Sequence, residues 1–135
     1  MSEETEATIQ AEESLLGAIL IESAYAGNRD AINRARDIIS PGNFYGYLPG
    51  KAINQQSQRA RIFYAMVQSE SPPHQVETAR TLNQLGLLQT GDVALLCHLV
   101  SVCPCSLDFE DYAKAVKDYS LCRGGTRRPV YKGAI

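Results

Sequence analysis

The chain has 135 residues, 44% hydrophobic and 21% charged, which suits one domain with a modest core. That length excludes a motor ATPase or polymerase core, and no apolar run approaches the ~20 residues of a membrane-spanning helix. The net charge of −2 hides a gradient: residues 1–30 carry seven acids against Arg29, whereas Arg123, Arg127, Arg128 and Lys132 lie in a stretch from Tyr119 onward that has no acid.

The opening Met1-Ser2-Glu3-Glu4 is acidic where a secretory signal is basic. The expected address is cytoplasmic, and the four cysteines then read as thiols. After a polar lead over residues 1–8, a first helix is predicted over residues 11–22. Leu15, Leu16, Ile19 and Leu20 share one face, and Glu12 and Glu13 lie in the first turn, where they complement the helix dipole. A second helix carries Ile32, Ala35, Ile38 and Ile39 and stops at Ser40-Pro41-Gly42, because proline cannot continue the ladder.

Residues 42–58 are the least regular stretch, with Phe44, Tyr45 and Tyr47 available to pack it down. A third helix over residues 56–68 points Ile62, Phe63, Met66 and Val67 inward. The fourth, marked by Val76, Ala79, Leu82 and Leu85, ends at Gly86 in a left-handed position. Thr90-Gly91-Asp92 opens a fifth, with Leu95, Leu96, Leu99 and Val100 buried and Pro104 beyond its end. Asp108 caps a sixth, whose Phe109, Tyr112, Ala113, Val116 and Tyr119 form the cleanest amphipathic pattern, and Gly124-Gly125 ends it. Six short helices and no strand alternation predict an all-α, compact single-domain bundle.

Chemistry-bearing patterns are sparse. Gly46-Tyr47-Leu48-Pro49-Gly50-Lys51-Ala52 has a superficial likeness to a phosphate-binding loop. Only three residues separate its glycines, Pro49 removes a donor, and Ala52 lacks the hydroxyl that holds magnesium. Cys97, His98, Cys103 and Cys105 are four potential zinc ligands, but Cys97 and His98 diverge by about 100° on a helix. The single-spacer Cys-Pro-Cys is not a zinc knuckle either. Cys97 is expected buried as a small hydrophobe, and His74 reads as a capping or surface residue. The acidic residues are expected on exposed faces or at helix starts. No catalytic, cofactor-binding or metal-binding residue is assigned.

The order of segments resembles a known family. Ala11-Glu12-Glu13-Ser14-Leu15-Leu16-Gly17 is similar to the opening helix of the N-terminal domain of DnaB-type replicative DNA helicases. Ser40-Pro41-Gly42-Asn43-Phe44-Tyr45, Arg61-Ile62-Phe63-Tyr64-Ala65-Met66 and the turn from Leu82 through Gly86 to Leu88 resemble its next signatures. Pro104 and Asp111-Tyr112-Ala113-Lys114-Ala115-Val116 complete the likeness, which covers residues 9–122. The chain departs from the family in a longer stretch between Leu20 and Ser40, an insertion over residues 46–59, and the absence of the ATPase domain.

The resemblance implies a DnaB helicase N-terminal-like domain over residues 9–122, followed by a basic tail over residues 123–135. It further implies a non-catalytic interaction and oligomerisation domain, which self-associates and engages primase or a helicase loader in DNA replication. In the family the sixth helix pairs with a following one and contributes to dimer contacts. Tyr112, Val116, Tyr119 and Leu121 are therefore the expected interaction residues, on an apolar stripe left partly uncovered. The alternative is a stand-alone small helical DNA-binding or adaptor protein, with Arg123, Arg127, Arg128 and Lys132 contacting nucleic acid. Against it, the sixth helix balances Lys114 and Lys117 with Glu110, Asp111 and Asp118. No cofactor and no membrane partner is expected.

Overall fold

The computed structural model describes residues 3–123, and its first helix, α1 (Glu3–Ala26), is twice the predicted length. It starts well before Ala11 because the acids of the polar lead sit at the positive end of the helix dipole. Thr8, a full turn before Glu12, also continues the buried face. The predicted one-sided stripe is incomplete as well. Residues 14–20 are buried without interruption, so this part of α1 is covered on every face.

The other helices pack around it: α2 (Asp30–Ile38), α3 (Gln58–Gln68), α4 (Gln75–Gln84), α5 (Asp92–Val102) and α6 (Phe109–Arg123). Each of the five touches α1. Single 3-10 turns at Pro41–Asn43, Ile53–Gln55 and Ser106–Asp108 fill the connections, and the described residues contain no strand. None of these helices is long and apolar enough to cross a membrane. The all-α reading of the sequence holds.

Local chemistry sets the boundaries. Ser57 opens α3 by accepting the Ala60 N–H at 3.3 Å, and the His74 ring opens α4 by accepting the Glu77 N–H at 3.3 Å. Gly86, with φ of +72°, closes α4 as predicted. The Leu87 N–H reaches the Leu82 carbonyl at 2.8 Å and the Gly86 N–H reaches that of Asn83 at 3.1 Å, the paired bonds of a Schellman end. Phe44 and Phe63 meet with ring centroids 5.3 Å apart, which pins the irregular aromatic segment to α3.

The inward face of α4 differs from the sequence reading. Val76 is 72% exposed and Leu85 is 43% exposed, while Glu77, Thr78, Thr81 and Leu82 are buried. A polar face can turn inward here because its groups find partners. Glu77 accepts from the Ser69 hydroxyl at 3.1 Å and from Arg80 at 2.8 Å, and Thr78 donates to the Pro73 carbonyl at 3.1 Å.

A buried ion pair joins α3 to α5. Arg61 donates to both oxygens of Asp92, at 2.7 and 3.1 Å, and to the Leu87 carbonyl at 2.9 Å. Asp92 also accepts the Gln89 N–H and the Gln58 amide, each at 2.9 Å. Burial alone would raise the Asp92 pKa, but these bonds from Arg61, Gln89 and Gln58 hold it below its ordinary value. The stability they supply is present above that ordinary value and is lost as pH falls through the folded one. Asp92→Asn leaves Arg61 buried without its counter-charge and should cost about 3–5 kcal/mol in urea unfolding at neutral pH.

Gly17 marks the closest approach of two helices. A Cβ built there would lie 2.3 Å from the Leu99 carbonyl oxygen on α5. Backbone cannot yield as a side chain can, so Gly17→Ala should destabilise the fold by about 2–3 kcal/mol, read from the same unfolding curves.

Candidate interaction surface

α6 and α1 run antiparallel. Ser106, just before α6, donates to Glu22 near the end of α1 at 2.5 Å, while Cys122 and Arg123 lie beside Thr5 and Thr8 at its start. This pairing settles the fate of the predicted apolar stripe. Val116 is fully buried and Tyr119 is 8% exposed, so the stripe is covered within its own chain rather than left open. The missing cover comes from α1, whose polar lead is helical and long enough to lie along α6. Leu121 and Tyr112 are half-buried.

What remains at this face is a groove of about 590 Å³ between α1, the corner joining α5 to α6, and α6. Ala7, Ala11 and Ser14 line it from α1 at helical spacing, and Tyr112, Ala115 and Tyr119 line it from α6. Beside it runs an acidic flank of about 530 Å³, which shares Ala7, Gln10 and Glu13 with the groove and adds Glu3 and Glu6. Two of the four predicted interaction residues, Tyr112 and Tyr119, therefore line one cavity. Val116 lies beneath it, and Leu121 is not among its lining residues.

At the pole where α6 ends, Arg123 is tied to its own chain. It donates to the Asn43 carbonyl at 2.8 Å and stacks over the Tyr45 ring at 5.4 Å. Asn43 in turn donates from its side chain to Ser120 at 3.0 Å. The predicted nucleic-acid residues Arg127, Arg128 and Lys132 lie outside the described residues.

Below this pole sits a residue whose role the sequence reading missed. Glu12 is fully buried, accepting the Tyr45 N–H at 2.7 Å and the Arg59 guanidinium at 2.6 Å. With the helix starting at Glu3, Glu12 is mid-helix and not in a first turn. Its spacing from Leu15, Leu16 and Ile19 already placed a carboxylate on the buried face. Asp118 is buried within α6 too, so the expectation that acids lie on exposed faces or at helix starts fails for Glu12 and Asp118. Asp92 and Glu77 fall in the first turns of α5 and α4, yet both face inward.

The family model for the DnaB-like helicase N-terminal domain matches residues 4–118. The chain belongs to this family. Its fold is similar to the crystal structure of the N-terminal domain of DnaB helicase from Mycobacterium tuberculosis, with a TM-score of 0.66 and 27% identity. That likeness covers 85% of this chain and 75% of that one. Comparison with curated proteins returns no match. The N-terminal domain of DnaB is non-catalytic, and these 135 residues hold no ATPase domain.

Within this DnaB-type domain, the segment over residues 46–59 is organised by one side chain. Gln56 is buried, accepts the Leu48 N–H at 2.7 Å, and donates to the carbonyls of Leu48 and Lys51 at 2.8 and 3.1 Å. The glycine-containing loop thus closes on a glutamine amide. Cys97 is exposed on α5, contrary to its predicted burial, with the Gln75 amide 3.0 Å from its sulfur. Cys103 is half-buried against the Ser14 carbonyl, and burial pushes its thiol pKa up. His98 faces Glu13 at 3.4 Å. Among the described residues, no three His, Cys, Asp or Glu side chains converge into a metal-holding group.

Burial pushes the Glu12 carboxyl above its ordinary value near 4.5, and the bonds from Arg59 and the Tyr45 N–H offset only part of that. A raised folded pKa means that the native state holds this proton longer than the unfolded chain. The stability so supplied is fully present below the ordinary value and is lost as pH rises through the folded one. Glu12→Gln keeps an acceptor for Tyr45 and cannot titrate. The stability of this variant relative to the parent should rise as pH climbs from about 4.5, measured by urea unfolding over a pH series. A difference that stays flat, or falls, contradicts this account of Glu12.

Proposed function

We propose that the chain serves as a non-catalytic assembly domain in DnaB-type replication, associating with copies of itself and offering a docking surface to primase or a helicase loader. The family match over residues 4–118 carries this reading. N-terminal domains of this kind oligomerise within the helicase. The groove between α1 and α6 is the surface we assign to self-association, with Tyr112, Ala115 and Tyr119 as its α6 side. It combines apolar lining with an acidic flank, and a symmetric dimer is the commonest way to cover such a face. Arg123 is occupied by Asn43 and Tyr45, which weighs against the alternative of a tail-driven DNA binder.

Sedimentation velocity from micromolar to millimolar concentration should show a concentration-dependent increase in mass. Ala115→Glu, at a half-buried position lining the groove, should abolish that increase while leaving the helical circular dichroism intact. A chain that stays monomeric throughout, or a dimer indifferent to Ala115→Glu, refutes the assigned surface. A strongly salt-dependent shift of DNA at micromolar protein would favour the tail-driven alternative instead.

A further inference from the structure

We propose that the cavity between α3 and the segment over residues 46–59 binds a proline-rich, extended segment of a partner protein. It shares no lining residue with the groove between α1 and α6, so the proposal stands independently of the self-association surface.

The cavity, of about 450 Å³, is walled by three stretches of chain that are each fixed locally. α3 contributes Tyr64, Val67 and Gln68, which share one helix face. The 3-10 turn Pro41–Asn43 contributes Pro41 and Gly42, and the Asn43 N–H donates to the Ser40 carbonyl at 2.9 Å to hold it. Tyr47 and Ile53 come from the loop that closes on the Gln56 amide. Tyr47, Ile53, Tyr64 and Val67 are half-buried and packed against the core, so the walls stand before any ligand arrives. Gly42 leaves an opening between them. A Cβ built there would lie 3.7 Å from the Tyr47 ring, in ordinary contact, so a larger side chain can enter space that is now empty.

The lining selects the class of ligand. None of its residues is charged, so a charged segment would lose its hydration there without gaining a counter-charge. Among the described residues, the Tyr47 and Tyr64 hydroxyls and the Gln68 amide make no hydrogen bond, and the cavity therefore offers free donors beside its apolar surface. A helical partner spends its carbonyls on its own backbone, and a strand needs a sheet edge, which the described residues do not have. A polyproline II segment answers both halves of the lining. Its carbonyls have no internal partner, and its rings present apolar surface to aromatic faces. Proline nitrogens carry no hydrogen, so such a segment calls for donors rather than acceptors. Its backbone is extended before it binds, which lowers the entropy lost on docking.

The test is made on the full 135-residue chain, isotope-labelled for nuclear magnetic resonance and titrated with decaproline that is acetylated and amidated to remove its charges. Saturable shifts are expected at the amides of Tyr47, Tyr64, Val67 and Gln68, with the groove residues Ala11 and Ala115 unmoved. A glycine–serine peptide of equal length, uncharged but without rings or a preset backbone, should bind about tenfold more weakly or worse. Tyr47→Phe with Tyr64→Phe keeps both rings, removes both hydroxyls and should weaken decaproline binding by about tenfold. Gly42→Leu should fill the opening and abolish binding. Unchanged core methyl resonances of Leu16 and Leu99 show that each variant is folded, and if Gly42→Leu fails that check the tyrosine pair decides alone. A parent chain that does not bind decaproline, or binds it elsewhere, overturns the proposal. So does binding that is indifferent to loss of both hydroxyls, or that N-acetyl-leucine amide matches, since either result describes a pocket for a lone apolar side chain.

Discussion

Residues 14–20 of α1 are shut off from solvent on every face, and five other helices have to pack against α1 for that to happen. A helix buried all round imposes a steric condition at each crossing. The tightest is at Gly17, where the Leu99 carbonyl occupies the space a Cβ would need. α5 can approach this closely only because α1 presents no side chain there. That approach also brings the end of α5 to α1, where Cys103 meets the Ser14 carbonyl, and so fixes where the chain turns into α6. The antiparallel lie of α6 along α1, and with it the groove, follows from that turn.

Charges inside the fold act as cross-links between elements distant in sequence. Glu12 ties α1 to the start of α3 and to the aromatic segment at Tyr45, and Asp92 ties α5 to α3. The two carboxylates are both fully buried, yet their pKa values move in opposite directions. The difference is in how deeply each carboxylate lies among protein atoms, greater for Glu12, and in the number and kind of donors. Asp92 receives a two-pronged guanidinium, an amide side chain and a backbone N–H, whereas Glu12 has one guanidinium nitrogen and one backbone N–H. Burial is offset in the first case and prevails in the second. Arg29 adds a third tie by donating to the Val67, Ser69 and Ser71 carbonyls, which end α3 and begin the turn into α4.

Helix number, helix order and most interior residues of α2, α3 and α5 were legible because those helices bury one apolar face each. Leu96, Leu99, Ile62, Phe63 and Met66 are all core. The reading failed wherever burial was polar. Glu12 on α1 and the Glu77–Thr78–Thr81 face of α4 are interior because each finds partners from other elements, and apolar periodicity is blind to partners. It also failed at Cys97, which lies on an uncharged but outward face of α5. Of the groove's lining, the sequence pattern offered only the α6 side. The α6 pattern identified Tyr112 and Tyr119, but it could not show that α1 reaches back far enough to cover Val116. The length of α1 depended on the polar lead being helical, for which the lead offers no apolar stripe of its own.

The geometry of α6 constrains any partner of the groove. Phe109, Ala113 and Val116 face the core and belong to the fold, while Tyr112, Ala115 and Tyr119 turn toward the groove. These two sets sit on neighbouring faces of one helix, so groove-facing positions can change the surface without opening the interior. Tyr119 is the exception, being nearly buried while it lines both the groove and the small cavity at the pole. It links what sits in the groove to the end of α6 and to the loop that Arg123 holds. An occupant has to fit an apolar channel only about 10 Å long and answer the acids of α1 along one side. A bare acidic surface, including the phosphate backbone of DNA, meets neither, because Glu3, Glu6 and Glu13 repel it.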